Sequence, residues 1–173
     1  SETELATLMV GRNVNLHVEK KPATPGEVVL SIKDLHVKDE RGIEQVNGFN
    51  LDIRAGEIVG LAGIDGNGQK ELADAIDALV KPESGTITVK GEEIQGTTPK
   101  TVIDHAVATI PSDRHRWGLV LPFTVAENMV LERHNEETFG KGIALDLAKI
   151  KEFSQKLIDE FDIRPAECAD HQA

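Results

Sequence analysis

E-I-V-G-L-A-G-I-D-G-N-G-Q-K-E-L-A-D-A-I-D-A-L-V, Glu57 to Val80, is the stretch on which the fold turns. Ile58 to Ala62 is a short apolar run of strand type. A turn rich in glycine follows, with Gly63, Gly66 and Gly68. Leu72, Ala75, Ile76, Leu79 and Val80 then recur at helical spacing. Strand, glycine turn and helix together frame a phosphate-binding loop. Glycines let backbone N–H groups approach phosphate oxygens closely, and the helix N-terminus adds partial positive charge.

The loop departs from the pattern G-x-x-x-x-G-K-[ST]. Gly63 through Gly68 fit, but Gln69 stands at the lysine position and Lys70 at the hydroxyl position. The lysine reaches the terminal phosphates, and the hydroxyl ligates magnesium. Gln69 donates a hydrogen bond but carries no charge. Lys70 lies one residue on, about 100° round the helix, and an ammonium does not ligate a cation. Asp65 and Glu71 add negative charge where an anion would sit, and Glu71 in the first turn can itself satisfy the helix dipole. A hydrogen bond to a charged group contributes about 1.5–3 kcal/mol, so loss of the lysine weakens triphosphate binding by about ten- to a hundredfold. The alternative reading of the same residues is an ordinary βα turn, with glycines for tightness. The dinucleotide fingerprint G-x-G-x-x-G fails, because Glu71 occupies its third glycine.

The 173 residues hold one domain with a real core. A net charge of −11 with 3% aromatic residues speaks against nucleic-acid binding, which needs a basic stripe, and against adsorption to anionic lipid. One cysteine, Cys168, excludes an internal disulfide and a cysteine-cluster metal site, and reads as a spectator thiol. No run approaches the roughly 18 apolar residues of a membrane span, and no secretory leader opens the chain. A reducing cytoplasmic setting is the expectation.

Outward from the loop, Val28 to Val37 and the alternating Phe49, Leu51 and Ile53 predict two strands. Asp39 to Gly42 is a polar turn too short for a parallel crossover, so the pair is antiparallel. Arg54-Ala55-Gly56 turns into the apolar run. Upstream, Glu2 to Val10 predicts a short helix, Val14, Leu16 and Val18 alternate like an edge strand, and Lys20 to Gly26 is a linker by composition. Downstream, Thr86 to Val89 and the following Lys90 to Ile94 predict a hairpin. Thr98 and Pro99 start a helix with Val102, Ile103 and Ala106 on one face. Val107 to Ile110 predicts a strand.

Ser112 to Phe123 is a loop dense in Asp113, Arg114, His115, Arg116 and Trp117. Hydrolysis would use His115 as a base oriented by Asp113, but no nucleophile or metal partner is visible. Two arginines beside a tryptophan suit a docking loop, and an ordinary solvated loop is the plainer alternative. Thr124 to Glu127 is a capping box opening a helix through Leu131. His134 reads as solvent-exposed. Asp146 caps a last helix with Ile150, Phe153, Leu157 and Phe161 as its apolar face, and the tail from Asp162 shows no pattern.

Several of these segments resemble the ATP-binding subunits of ABC transporters, in particular sugar and nucleoside importers with two nucleotide-binding domains in one polypeptide. They are M-V-G-R at Met9, A-G-E-I-V-G-L-A-G-I-D-G-N-G-Q at Ala55, P-E-S-G-T-I at Pro82, I-P-S-D-R-H-R-W-G-L-V-L at Ile110 and T-V-A-E-N-M at Thr124. The wording around Gly66 to Gln69 and Asp113 to Leu121 is nearest the nucleoside branch.

The resemblance implies an α/β P-loop core with an N-terminal antiparallel β-subdomain. Residues 1–27 would be an inter-domain connector continuing from an earlier segment. Residues 28–173 would be the N-terminal part of the second nucleotide-binding domain, ending before the signature and Walker B segments. ATP would bind weakly at Gly63, Asp65, Gly66, Asn67, Gly68, Gln69, Lys70 and Glu71, with magnesium in the intact protein. Ser112, Asp113, Arg114 and Trp117 would form the Q-loop that couples to transmembrane permease subunits. Ser112 replaces the usual glutamate or glutamine, and no aromatic residue between Val37 and Glu44 is present to stack on adenine. The intact subunit would be a peripheral ATPase on the cytoplasmic face of the inner membrane, paired with its other nucleotide-binding domain. The chain alone would not hydrolyse ATP. Two other classes stand beside this one: a working ATPase half, and a structural module that binds no nucleotide.

Overall fold

The computed structural model describes residues 2–11, 20–134, 136–141 and 144–173. They divide into two compact units, Ser1–Thr98 and Pro99–Ala173. The alternation at Val14, Leu16 and Val18 lies outside the described residues.

The first unit holds helix α1 (Glu2–Val10), and its residues 20–26 form an exposed linker. Strands β1 (Val28–Lys38) and β2 (Glu44–Arg54) pair antiparallel, and β1 also pairs antiparallel with β3 (Ser84–Val89). The short β4 (Glu92–Glu93) completes a sheet of order β2-β1-β3-β4. Inward positions on β1 run Ile32, then Leu35 and Val37, so the period-2 alternation slips between them. A bulge at Lys33 and Asp34 absorbs the extra residue, with Asp34 at φ +48° and its N–H donating to Asn50 Oδ1 at 3.0 Å. The slip keeps Leu35 and Val37 on the buried face, with Val46, Ile87 and Val89. Helix α2 (Gln69–Ile76) packs on β1 and β2 through Leu72 and Ala75.

Two sequence expectations fail in this unit. Ile58 to Ala62 has strand composition but lies in no strand, and Ile58 is 94% exposed. An apolar strand of this kind is stable only with hydrogen-bonded neighbours covering it. Among the described residues no segment pairs with it. The helical spacing through Leu79 and Val80 also overreaches, because α2 stops at Ile76 and Ala78 takes φ +56°, ending the helix and leaving Leu79 in solvent.

In the second unit, α3 (Pro99–Asp104) buries Val102 as expected. Val107 to Ile110 forms no strand, and Ile110 is 94% exposed, for want of the same kind of neighbour. Helix α4 (Val125–Met129), two residues shorter than expected, carries a complete capping box between Thr124 and Glu127. A small hairpin of β5 (Gly140–Lys141) and β6 (Ala144–Leu145) precedes α5 (Leu147–Glu160), which Asp146 caps by accepting from the Lys149 N–H at 3.1 Å. The core is Ala126, Val130, Phe139, Ile150 and Ile158, joined by Cys168 and Ala169. The tail, which shows no pattern in the sequence, therefore supplies core residues, and Cys168 is buried. Phe161 is exposed instead, because the inward row of α5 runs Ile150, Ser154, Ile158 at i, i+4, i+8.

Candidate functional site

The glycine loop joins the unpaired apolar run to α2. Gly68 is the N-cap residue of α2, at φ +88°, and no side chain caps the first turn. The first four N–H groups of a helix lack intrahelical acceptors, so this end presents donors. A Cβ at Gly68 would lie 2.4 Å from the Gln45 carbonyl oxygen, so the loop backbone comes close to the β2 backbone here. A cleft of about 200 Å³ opens between Val46, Asn47 and Phe49 of β2 and Gly63, Gly68 and Gln69 of the loop. Drug-sized ligand sites are about 300–1,000 Å³, so this one matches part of a nucleotide rather than the whole.

Gln69 turns back into the loop. Its Oε1 accepts the Asn67 backbone N–H at 3.1 Å, and its Nε2 donates to the Ile64 carbonyl at 3.1 Å. Asn67 Nδ2 donates to the same carbonyl at 2.9 Å. Lys70 runs along the helix surface to Asp74, 2.5 Å away, and this hydrogen bond and charge raise its pKa from the ordinary lysine value. Its ammonium thus points away from the cradle, as its position on the helix requires. Asp65 is exposed and Glu71 half-buried.

The start of α2, uncapped by any side chain, offers backbone donors to an acceptor. The side chains do not fit a magnesium ion: the hydroxyl position holds Lys70, and among the described residues no three His, Cys, Asp or Glu side chains gather as ligands.

A feature of the same face escaped the sequence reading. Asp39, in the β1–β2 turn, accepts from Arg41 Nε and its terminal nitrogen at 3.0 and 2.7 Å, and from the Arg41 and Ile43 N–H groups. It also accepts from Gln45 Nε2 at 3.1 Å. The Arg41 guanidinium, followed by the Ile43 N–H, holds the Asp39 carboxyl down at about 2. The D-x-R-G wording is an Asx-turn signal, but its link to Gln45 at the cleft needs the β1–β2 register.

In the second unit, Arg114–Gly118 forms one wide helical turn. Asp113 opens it, its carboxylate accepting the Arg116 N–H at 3.1 Å. Its bond is to backbone, and no Asp113–His115 hydrogen bond is present among the described residues. Ser112, Asp113 and Arg114 are exposed, Trp117 is 66% exposed, and the Arg116 guanidinium lies 4.9 Å from the Trp117 ring centre. Asn128 fastens the loop behind this turn, accepting from the Val120 N–H at 2.8 Å and donating to the Val120 and Thr124 carbonyls.

The pattern of the family described as ABC transporter matches residues 46–168. The chain is 49% identical over 163 residues to a nucleoside import ATP-binding protein of Lactococcus lactis subsp. cremoris, covering 94% of this chain and 32% of that protein. It is 44% identical over 164 residues to a guanosine import ATP-binding protein of Bacillus subtilis, covering 95% and 32%. The chain therefore spans about a third of the length of these relatives. A solved nucleotide-free ATP-binding cassette from an ABC transporter shares the fold, with a TM-score of 0.63 at 16% identity over 85% of this chain and 58% of that one.

Proposed function

Because the chain belongs to the ABC transporter family, we propose that it forms part of the ATP-binding subunit of an importer for simple sugars or nucleosides. The names of the relatives support that substrate range, with nucleoside and guanosine import foremost. Their greater length supports placing residues 28–173 in the first part of a nucleotide-binding domain, with residues 1–27 as a connector. The subunit would work at the cytoplasmic face of the membrane, against a second nucleotide-binding domain and permease subunits. Among the described residues no helix is long and apolar enough to cross a membrane.

In this reading the loop from Gly63 to Glu71 is a weak, non-hydrolytic nucleotide site. One observation carries it. The cradle holds a neutral carboxamide at residue 69 and sends its nearest cation, Lys70, to Asp74. Phosphate is then held by backbone donors between Gly66 and Lys70, with little help from magnesium. Phosphoryl transfer depends on metal ions and a positioned nucleophile, so hydrolysis belongs to the partner site. Exposed Trp117, with Ser112, Asp113 and Arg114, is the surface we assign to the permease.

A thermal-shift titration tests the site. ATP at a hundred times its dissociation constant stabilises by about 2.7 kcal/mol, or about 5–10 °C for a chain of this size. Gln69→Lys with Lys70→Ser should tighten binding by about ten- to a hundredfold and make it depend on magnesium. No shift for either protein at millimolar ATP refutes a nucleotide site and leaves a structural module.

A further inference from the structure

The glycine loop already holds a ligand-like group, and that group is its own. The Gln69 carboxamide oxygen takes the Asn67 N–H as a phosphate oxygen would, and its nitrogen ties to the Ile64 carbonyl. On the far side it meets Gly63, where an added Cβ would fall 2.3 Å from Nε2. The amide thus spans the loop from its first glycine to the start of α2, and bare backbone at residue 63 is what lets it fit.

We propose that Gln69 is an internal guest of the loop: it keeps the Asn67 N–H directed inward and must swing out before an anion enters. The inference rests on the nucleotide-site reading above and adds a second cause of weak binding. A lysine at this position supplies charge and accepts no hydrogen bond, so it leaves the amides of the loop open. A glutamine supplies no charge and also competes, because its oxygen is an acceptor of the same kind as the ligand's. The competing contact is one neutral hydrogen bond, which lowers apparent affinity by about two- to tenfold. Lys70 cannot offset this, since it is engaged with Asp74.

Inorganic tripolyphosphate, which has no base to bind elsewhere, is the probe, with the full chain and two variants. Gln69→Met keeps the length of the side chain and removes both hydrogen bonds. Gly63→Ala leaves Gln69 intact and crowds Nε2 out. Both should bind tripolyphosphate about two- to tenfold more tightly, and both should speed hydrogen exchange at the Asn67 amide in the free protein. Weaker binding by Gln69→Met would mean that the carboxamide contacts the ligand, and would overturn the proposal. So would unchanged affinity in both variants, whether or not exchange speeds up. If Gln69→Lys with Lys70→Ser binds and Gln69→Met equals the parent, the internal guest is wrong and the nucleotide site stands. If none of the proteins binds, both readings fall together.

Discussion

Gly68→Ala separates two costs that the loop geometry predicts. Gly68 has φ +88°, a conformation that costs a residue with a Cβ about 1–2 kcal/mol. Its added methyl would also lie 2.4 Å from the Gln45 carbonyl oxygen and 3.4 Å from Val46 Cγ2. The carbonyl belongs to a paired strand, so relief means parting the loop from β2. Overpacking of this kind costs about 1–3 kcal/mol. The sum is about 2–5 kcal/mol. Gly66→Ala is the internal control: φ is +82°, but nothing lies within 4 Å of the added carbon. It should cost the conformational part alone, about 1–2 kcal/mol. Urea titration followed by far-UV circular dichroism gives both values, and native-state hydrogen exchange at the Ile32 and Val37 amides assigns the loss to the first unit. Equal costs for the two variants would refute the backbone contact between loop and β2.

Other measurements test the rest of the molecule. Phe139→Ala removes a buried ring that meets Phe153 edge-on at 5.1 Å and should cost about 3–5 kcal/mol. Phe161→Ala, on an exposed ring of the same unit, should stay within about 0.5 kcal/mol in the same urea titration. Thr124→Ala breaks the capping box and should cost about 0.5–2 kcal/mol, read from the loss of amide protection at Glu127. His36 donates to Glu44 at 2.7 Å, and this hydrogen bond, followed by the one to Asp34, raises its pKa above the ordinary 6.5. A raised histidine stabilises fully below 6.5 and loses that contribution as pH climbs through the folded value. An NMR titration of the His36 ring should show a midpoint above 6.5 that falls back in Glu44→Gln.

The antiparallel strands were legible in the sequence because each carries its own evidence: alternating apolar residues, and a turn at Asp39 to Gly42 too short for a crossover. The capping box at Thr124 and the cap at Asp146 were legible for the same reason, since donor and acceptor sit three residues apart. Ile58 to Ala62 and Val107 to Ile110 were misread because a strand is a property of a pair. Composition marks a segment as fit for a sheet, but hydrogen-bonded neighbours make it one, and none pairs with either among the described residues. The site divides along the same line. The direction of Lys70 followed from helix geometry and one substitution, and the i,i+4 partner Asp74 lay in plain sight. The fold of Gln69 onto Ile64 and Asn67 did not follow, because it depends on the bareness of Gly63 at a distance no spacing rule encodes. What separates a weak phosphate cradle from an ordinary turn is therefore whether these backbone amides still face inward. The Asn67 N–H, which meets the Gln69 side-chain oxygen at 3.1 Å, is one amide whose direction the structure gives, and the tripolyphosphate titration tests whether the others join it.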